Sequence, residues 1–164
     1  MVQSGKINYA PAKQNLNQRV EEIINLFNVN AGQKSIKLNN QVEKNVTVWA
    51  DKDMLEIILR NLISNALKFT YTGGEIRISS KDQNEFVEII ISDTGVGISE
   101  EDQSKLFNLN MLHTKKGTNK ESGTGLGLNL CRELTIKQGG EIRIESKIEK
   151  GTSVIFSLPK ESKK

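Results

Sequence analysis

The sequence predicts an α+β fold, a two-layer α/β sandwich in which a mixed, mostly antiparallel sheet is covered by three helices on one face. Three long segments carry apolar residues at helical spacing, which predicts the three helices. Two pairs of alternating segments are each joined by a short turn, which predicts two hairpins in the sheet. A chain of 164 residues can bury one good hydrophobic core, so we expect one domain.

The composition excludes several classes of protein. With 36% hydrophobic and 26% charged residues, the chain has the composition of an ordinary soluble globular protein. The net charge of +3 is too small to indicate nucleic-acid binding, and the single Cys131 excludes an intramolecular disulfide. No signal peptide or membrane-spanning run is visible, so we expect a cytoplasmic chain, or the cytoplasmic part of a membrane-bound sensor, without direct membrane insertion.

The first part of the chain is predicted to hold a short strand, a helix and two further strands. We expect a strand at residues 6–9 and a helix that starts at Asn15. The apolar stripe of this helix consists of Leu16, Val20, Ile23, Ile24 and Phe27. Residues 35–38 and 46–49 alternate as strands, and a polar segment turns between them.

A long helix is predicted over residues 51–70, with Asp51 as its N-cap. Its apolar face is formed by Leu55, Leu59, Leu62, Ala66 and Phe69. Asn61, Asn65 and Lys68 form a second stripe beside that face. An amide oxygen suits Mg²⁺ and a lysine suits phosphate, so this stripe is a candidate site. A polar helix edge that binds nothing is the alternative interpretation.

A hairpin is predicted from residues 75–79 and 86–93, and it places Asp93 at the end of a central strand. Gly95 and Gly97 follow at once and leave the backbone bare, so a flat base could approach it closely. The Asp93 carboxylate could then accept a hydrogen bond from an exocyclic amine. A strand-end aspartate in an Asx-turn is the alternative.

The rest of the chain is predicted as a short helix capped by Ser99, a long loop, a helix and a hairpin. The loop covers residues 108–122, and its hydroxyls and amines could reach phosphates as a mobile lid; a plain solvated loop is the alternative. The helix runs from about residue 126 to 137, and the hairpin strands are residues 141–146 and 152–158.

Three clusters in this chain resemble the motifs of the ATP-binding catalytic domain of sensor histidine kinases. Residues 61–70 are similar to the N box of that family, residues 93–98 to its G1 box and residues 123–128 to its G2 box. They occur in the order of the family, and the resemblance covers about residues 16–159. It implies the Bergerat fold, which agrees with the sandwich predicted from the elements.

The resemblance implies a division of the chain. Residues 14–160 would be the ATP-binding catalytic domain, residues 161–164 a charged tail, and residues 1–13 the lead-in from an upstream dimerisation and phosphoacceptor domain absent from this sequence. Kinases of this family transfer the γ-phosphoryl group to a histidine on that domain. The one histidine here, His113, lies in the presumed lid and lacks the helical acceptor motif. We therefore expect the chain to bind ATP but not to phosphorylate itself.

The resemblance also implies roles for individual residues. Asn65 would hold Mg²⁺ with Asn61 in support, Lys68 would contact phosphate, and Asp93 would accept a hydrogen bond from the adenine amine. The other residues would shape the base pocket, cradle the phosphates or close the lid. They are Gly95, Gly97, Thr114, Lys115, Lys116, Gly123, Thr124, Gly125, Leu126, Gly127, Leu128 and Thr152.

Catalysis would consist of positioning and charge neutralisation by Mg²⁺, Asn65 and Lys68, with the general base supplied by the absent domain. The implied partners are the histidine-bearing dimerisation domain of the same full-length kinase and, through the phosphorelay, a response regulator. We expect a monomer when the chain is alone, and no nucleic-acid partner. The F box of the family is incomplete, because Phe107 is present but residues 108–110 lack the second aromatic.

Two other functions remain open from the sequence. The chain could be another ATPase of the same fold, or an anti-sigma-type serine kinase. An ATPase that hydrolyses ATP alone would need a catalytic glutamate in the first motif helix, but Glu56 lies two to three turns before Asn65. The chain could also be a binding-only pseudokinase domain, although its motifs are intact.

Overall fold

The computed structural model describes residues 8–105 and 127–162 of the chain. Within these ranges the chain forms four helices and seven strands. They are β1 Pro11–Asn15, α1 Leu16–Gln33, β2 Lys37–Asn40, β3 Thr47–Asp51, α2 Lys52–Phe69, β4 Glu75–Gln83, β5 Phe86–Asp93, α3 Glu100–Lys105, α4 Gly127–Lys137, β6 Ile142–Lys147 and β7 Gly151–Pro159. None of the helices described is both long and apolar enough to span a membrane.

The main sheet has five strands in the order β2-β4-β5-β7-β6, and only the β2–β4 pair is parallel. On one face of the sheet, Ile78, Ile89 and Phe156 are fully buried and share one core with the buried sides of α1, α2 and α4. The other face carries charged side chains, including an ion pair of 2.8 Å between Arg143 and Glu88. The predicted sandwich, with a mixed sheet and three covering helices, is confirmed.

The long predicted helix is confirmed as α2, and its N-terminus joins three parts of the fold. Asp51 Oδ1 accepts the Met54 amide at 2.9 Å, which is the predicted N-cap bond. Asp51 Oδ2 accepts the Ala10 amide at 2.8 Å, and the Asp51 amide donates to Gln138 Oε1 at 2.7 Å. These bonds fix the start of α2 against the approach to β1 and the residue that follows α4.

The first strands differ from the prediction. Residues 8–10 are not in a strand; the strand there is β1, which begins at Pro11, inside the segment assigned to the lead-in, and pairs antiparallel with β3. The segments predicted as two strands around one turn do not pair, because β2 joins β4 in the main sheet. β2 also begins two residues later than predicted, since Ser35 has a positive φ of 54° that extended strand backbone does not allow.

The C-terminus of α2 is closed by a buried lysine that follows α1. Lys34 is only 6% exposed, and its Nζ donates to the carbonyl oxygens of Leu67 at 2.8 Å and Lys68 at 3.4 Å. The last carbonyls of a helix have no partner inside the helix and carry partial negative charge. An ammonium at this place therefore stabilises the end of α2 and holds α1 beside it.

We expect Lys34→Met to lower the free energy of unfolding by about 1–3 kcal/mol, because the apolar stem remains while the helix carbonyls lose a charged donor. Urea unfolding followed by circular dichroism measures the change. Lys37→Met, which alters an exposed lysine on β2, is the matched control and should change the free energy by less than about 0.5 kcal/mol. Equal losses in both variants would contradict this role for Lys34.

Candidate functional site

The polar stripe of α2 begins at Asn61, which lies against the start of α4. Asn61, Asn65 and Lys68 are each half-buried. Asn61 Nδ2 donates to the Ile57 carbonyl at 2.8 Å, and a β-carbon placed on Gly127 would lie 2.9 Å from Asn61 Oδ1. The structure thus brings the predicted motif of residues 61–70 next to Gly127, the last glycine of the cluster at residues 123–127. More than fifty positions separate this motif from the cluster in the sequence.

The contacts along α2 and α4 show that the two helices run antiparallel. The Cys131 thiol lies 3.8 Å from the Ile58 carbonyl, and Gln138 after α4 reaches Asp51 before α2. Burial raises the pKa of Cys131 to about 12, so the thiol stays protonated and packs as a small apolar group. This arrangement places the N-terminus of α4, where backbone amides favour anions, beside the α2 stripe.

The loop after β5 packs on the C-terminal end of α2. The Val96 amide donates to the Phe69 carbonyl at 3.1 Å. A β-carbon on Gly95 would overlap that same carbonyl oxygen, so only glycine allows this approach. Because Phe69 directly follows Lys68, the first glycine pair is joined to the end of the polar stripe.

The same loop is held from its other side by the turn between β6 and β7. Gly97 has a φ of +73°, and a β-carbon there would overlap the Lys147 carbonyl oxygen. The Glu149 amide donates to the Val96 carbonyl at 2.6 Å. The Glu149 carboxylate accepts the Tyr71 hydroxyl at 3.0 and 3.1 Å, and this bond raises the pKa of Tyr71. The glycine loop is therefore clamped between the end of α2 and this turn.

Asp93 ends β5 on the face of the sheet that the helices cover, directly opposite Thr152 of β7. Its Oδ1 accepts the amides of Gly95 at 2.8 Å and Thr152 at 3.2 Å. Burial raises the pKa of Asp93 to about 6, against the opposing effect of these two amide bonds. The side chain is therefore an ionised acceptor at neutral pH, in the place where the sequence predicted an amine-binding carboxylate.

The structure brings together only part of the predicted site. It joins Asn61 to Gly127, and Asp93 to Gly95 and Thr152, while Leu128 is half-buried against the core. Seven predicted residues lie outside the described ranges, as do His113, Phe107 and the loop interpreted as a lid. These seven are Thr114, Lys115, Lys116, Gly123, Thr124, Gly125 and Leu126.

The structure also shows residues near Asp93 that the sequence did not indicate. Ser146 of β6 contacts Thr152 through their hydroxyl oxygens at 2.7 Å, and Tyr71 binds Glu149. A serine that follows the alternating strand pattern of a hairpin gives no signal by itself, and its partner becomes apparent only from the strand register. In the described part of the chain, no group of three or more His, Cys, Asp or Glu side chains could hold a metal ion.

Residues 50–162 match the family model described as histidine kinase-, DNA gyrase B- and HSP90-like ATPase. The chain is 37% identical over 145 residues to histidine protein kinase DivJ of Caulobacter vibrioides, covering 87% of this chain and 24% of that protein. It is 34% identical over 139 residues to sensor histidine kinase WalK of Bacillus subtilis, covering 84% of this chain and 23% of that protein. The chain thus spans about a quarter of the length of these relatives.

This chain is also similar to solved structures of histidine kinases. A nucleotide-free catalytic domain of histidine kinase ThkA matches with a TM-score of 0.80 and 31% identity, covering 92% of this chain and 98% of that one. A complex of ThkA with the response regulator protein TrrA matches with a TM-score of 0.79 and 28% identity, covering 96% of this chain and 44% of the matched chain.

Proposed function

This chain belongs to the family of histidine kinase-, DNA gyrase B- and HSP90-like ATPases, and we propose that it is the ATP-binding catalytic module of a two-component sensor histidine kinase. Within the family its kinship is with the catalytic domains of sensor histidine kinases. The module would bind Mg-ATP and donate the γ-phosphoryl group to a histidine on a separate dimerisation domain.

The convergence of the motif residues on the C-terminal half of α2 carries this proposal. The Phe69 carbonyl holds the glycine loop that follows Asp93, while Asn61, two turns earlier, lies against Gly127. One surface therefore combines a half-buried carboxylate for a base, a lysine, and the N-terminus of α4 for an anion. A nucleotide that carries an amine at one end and phosphates at the other fits this order of groups.

The chemistry of the α2 stripe fits magnesium and phosphate. Asn65 would hold Mg²⁺ through its neutral amide oxygen with Asn61 in support, and Lys68 would contact a phosphate oxygen. When bound, Mg²⁺ would neutralise phosphate charge as the phosphoryl group moves. The residues of this chain would orient the nucleotide, and the general base would come from the histidine-bearing domain.

The proposed partners are the dimerisation domain of the same full-length kinase and a response regulator. The complex of ThkA with TrrA supports a response regulator as partner, because this chain is similar to the ThkA part of that complex. ATP is a cytoplasmic nucleotide, so we propose that the domain works in the cytoplasm, and that it is monomeric when alone.

Phosphotransfer in a mixed sample tests this function. The chain is incubated with labelled ATP, with and without a dimerising histidine domain from a related kinase, and phosphohistidine and free phosphate are both measured. We expect phosphohistidine only when the histidine domain is present. Rapid hydrolysis by the isolated chain would instead favour another ATPase of this fold. Tight ATP binding without either product would favour a binding-only domain.

We expect Asn65→Ala to weaken ATP binding in the presence of Mg²⁺ by at least about tenfold, because a ligand of the metal is lost. Titration with a fluorescent ATP analogue, with Mg²⁺ and then with EDTA, measures this effect. The wild type and the variant should bind alike in EDTA. Asn30→Ala, at an exposed position of α1, is the control, and equal Mg²⁺-dependent affinity in all three proteins would refute the assignment.

A further inference from the structure

The Ser146 hydroxyl has three polar neighbours beside the candidate base pocket. The Ile98 amide donates to Ser146 Oγ at 2.8 Å, and the Gly151 carbonyl oxygen lies 2.9 Å from it. The third neighbour is the hydroxyl oxygen of Thr152, at 2.7 Å. The three neighbours come from the glycine loop and from the first two residues of β7.

The chemistry of these groups decides the direction of each hydrogen bond. A serine hydroxyl has one hydrogen and two acceptor lone pairs. The Ile98 amide can only donate and the Gly151 carbonyl can only accept, so the Ser146 hydrogen points to Gly151. The remaining lone pair of Ser146 then accepts the hydrogen of Thr152. In this arrangement alone all three contacts are hydrogen bonds, and Thr152 Oγ1 is left with acceptor lone pairs only.

Thr152 lies beside the half-buried carboxylate of Asp93, whose Oδ1 accepts the Thr152 amide at 3.2 Å. The two residues are opposite each other in the register of β5 and β7, and with Ser146 they line one depression at the end of the sheet. Among the described residues, both amides that reach the carboxylate donate to Oδ1, and Oδ2 receives none. This side of the depression therefore offers a carboxylate oxygen and a hydroxyl oxygen that both accept.

A side chain from α3 holds Ser146 in this position. Gln103 Nε2 donates to the Ile98 carbonyl at 2.7 Å and to the Ser146 carbonyl at 3.2 Å. The side-chain amide of Gln103 therefore fixes the backbone of both residues that form the Ile98–Ser146 hydrogen bond. The direction of the Thr152 hydroxyl follows from this rigid arrangement.

Resting on the function proposed above, we propose that Ser146 is a positioning residue for base selection, which fixes Thr152 as an acceptor and so favours a 6-aminopurine over a 6-oxopurine. The amine of adenine supplies the hydrogen that these acceptors need. The oxygen of a 6-oxopurine would face two acceptors, and the unpaired buried groups would weaken its binding. Selection thus works partly by repelling the wrong base.

The ratio of the dissociation constants for Mg-ITP and Mg-ATP tests this role, since the two bases differ at position 6. In Ser146→Ala the hydrogen of Thr152 is free to donate to an oxo group, and we expect the ratio to fall by about tenfold. Ser146→Thr keeps a hydroxyl and should restore the ratio. Ser92→Ala is the control, because it removes a similar serine pair, with Ser153 at 2.7 Å, on the opposite face of the sheet.

Thr152→Val keeps the test decisive if Ser146→Ala fails to fold. It removes the hydroxyl acceptor at nearly constant shape, so ATP binding should weaken while ITP binding does not, and the ratio should fall again. Unchanged ratios in the folded variants, with an ATP-selective wild type, would overturn the role of Ser146 and leave the proposed function standing. A wild type that binds neither nucleotide would overturn both.

Discussion

Replacing Asp93 with asparagine is expected to stabilise the domain while it weakens ATP binding. Asparagine keeps an oxygen for the amides of Gly95 and Thr152, so the loop should hold its shape. It also removes a charge whose burial raises the pKa of Asp93 from 3.8 to about 6. The loss of a charged acceptor for the amine should lower ATP affinity by about 10- to 100-fold.

The stability gain from Asp93→Asn should depend on pH in a defined direction. The pKa of Asp93 is higher in the folded state, so folding favours the protonated carboxyl and binds protons between about pH 4 and pH 6. The wild type should therefore lose stability as the pH rises through this window, by about 3 kcal/mol from this group. The variant should lack this loss, so its advantage should be absent near pH 4 and complete above pH 6.

Urea unfolding of both proteins from pH 4 to pH 8 measures the difference, and the comparison cancels the other titrating groups. Asp82→Asn is the matched control, because it makes the same change at an exposed carboxylate paired with Lys160 at the far end of the main sheet. It should alter stability by less than about 1 kcal/mol. If Asp93→Asn were less stable than the wild type at pH 8, the ionised carboxylate of Asp93 would not destabilise the folded domain, and this prediction would be wrong.

The parts of the fold that follow local rules could be read from the sequence. The limits of α2 depend on the cap at Asp51 and on an uninterrupted apolar stripe, and β5 was predicted with its observed bounds because polar residues flank it. The pairing of β2 with β4 could not be predicted in this way. Alternation of apolar and polar residues shows that a segment is a strand but does not identify the strand with which it pairs. Here β3 and α2 lie between β2 and its partner β4 in the chain.

The candidate site shows the same division. Asp93 and the residues of α2 carry unusual side chains in recognisable spacing, so the sequence could indicate them. Ser146 and the Tyr71–Glu149 contact depend on the register of β6 with β7 and on how the turn folds over the glycine loop. In α4, helical spacing alone does not decide whether Thr135 or Ile136 is the inner residue. The structure buries Thr135 fully and leaves Ile136 exposed, because the angle of the helix is set by its packing on α2.

Gly95→Ala is expected to separate the glycine loop from α2. Its β-carbon would overlap the Phe69 carbonyl oxygen, which is a backbone atom, and come within 2.9 Å of Asp93 Oδ1, which two backbone amides hold in place. The loop would have to move and give up the Val96–Phe69 hydrogen bond of 3.1 Å. We expect a loss of about 1–3 kcal/mol in the free energy of unfolding, and at least about a tenfold loss in ATP affinity as Asp93 shifts.

The matched control for this prediction is Gly32→Ala, in the last turn of α1, where a β-carbon would meet nothing within 4 Å. Alanine is the better helix former, so this variant should gain up to about 1 kcal/mol and bind ATP like the wild type. The same chemical change should therefore act with opposite sign at the two glycines. If both variants kept full ATP affinity, the glycine loop would not need its contact with α2 to bind the base. The C-terminal end of α2 would then not align the base pocket with the phosphate-binding residues.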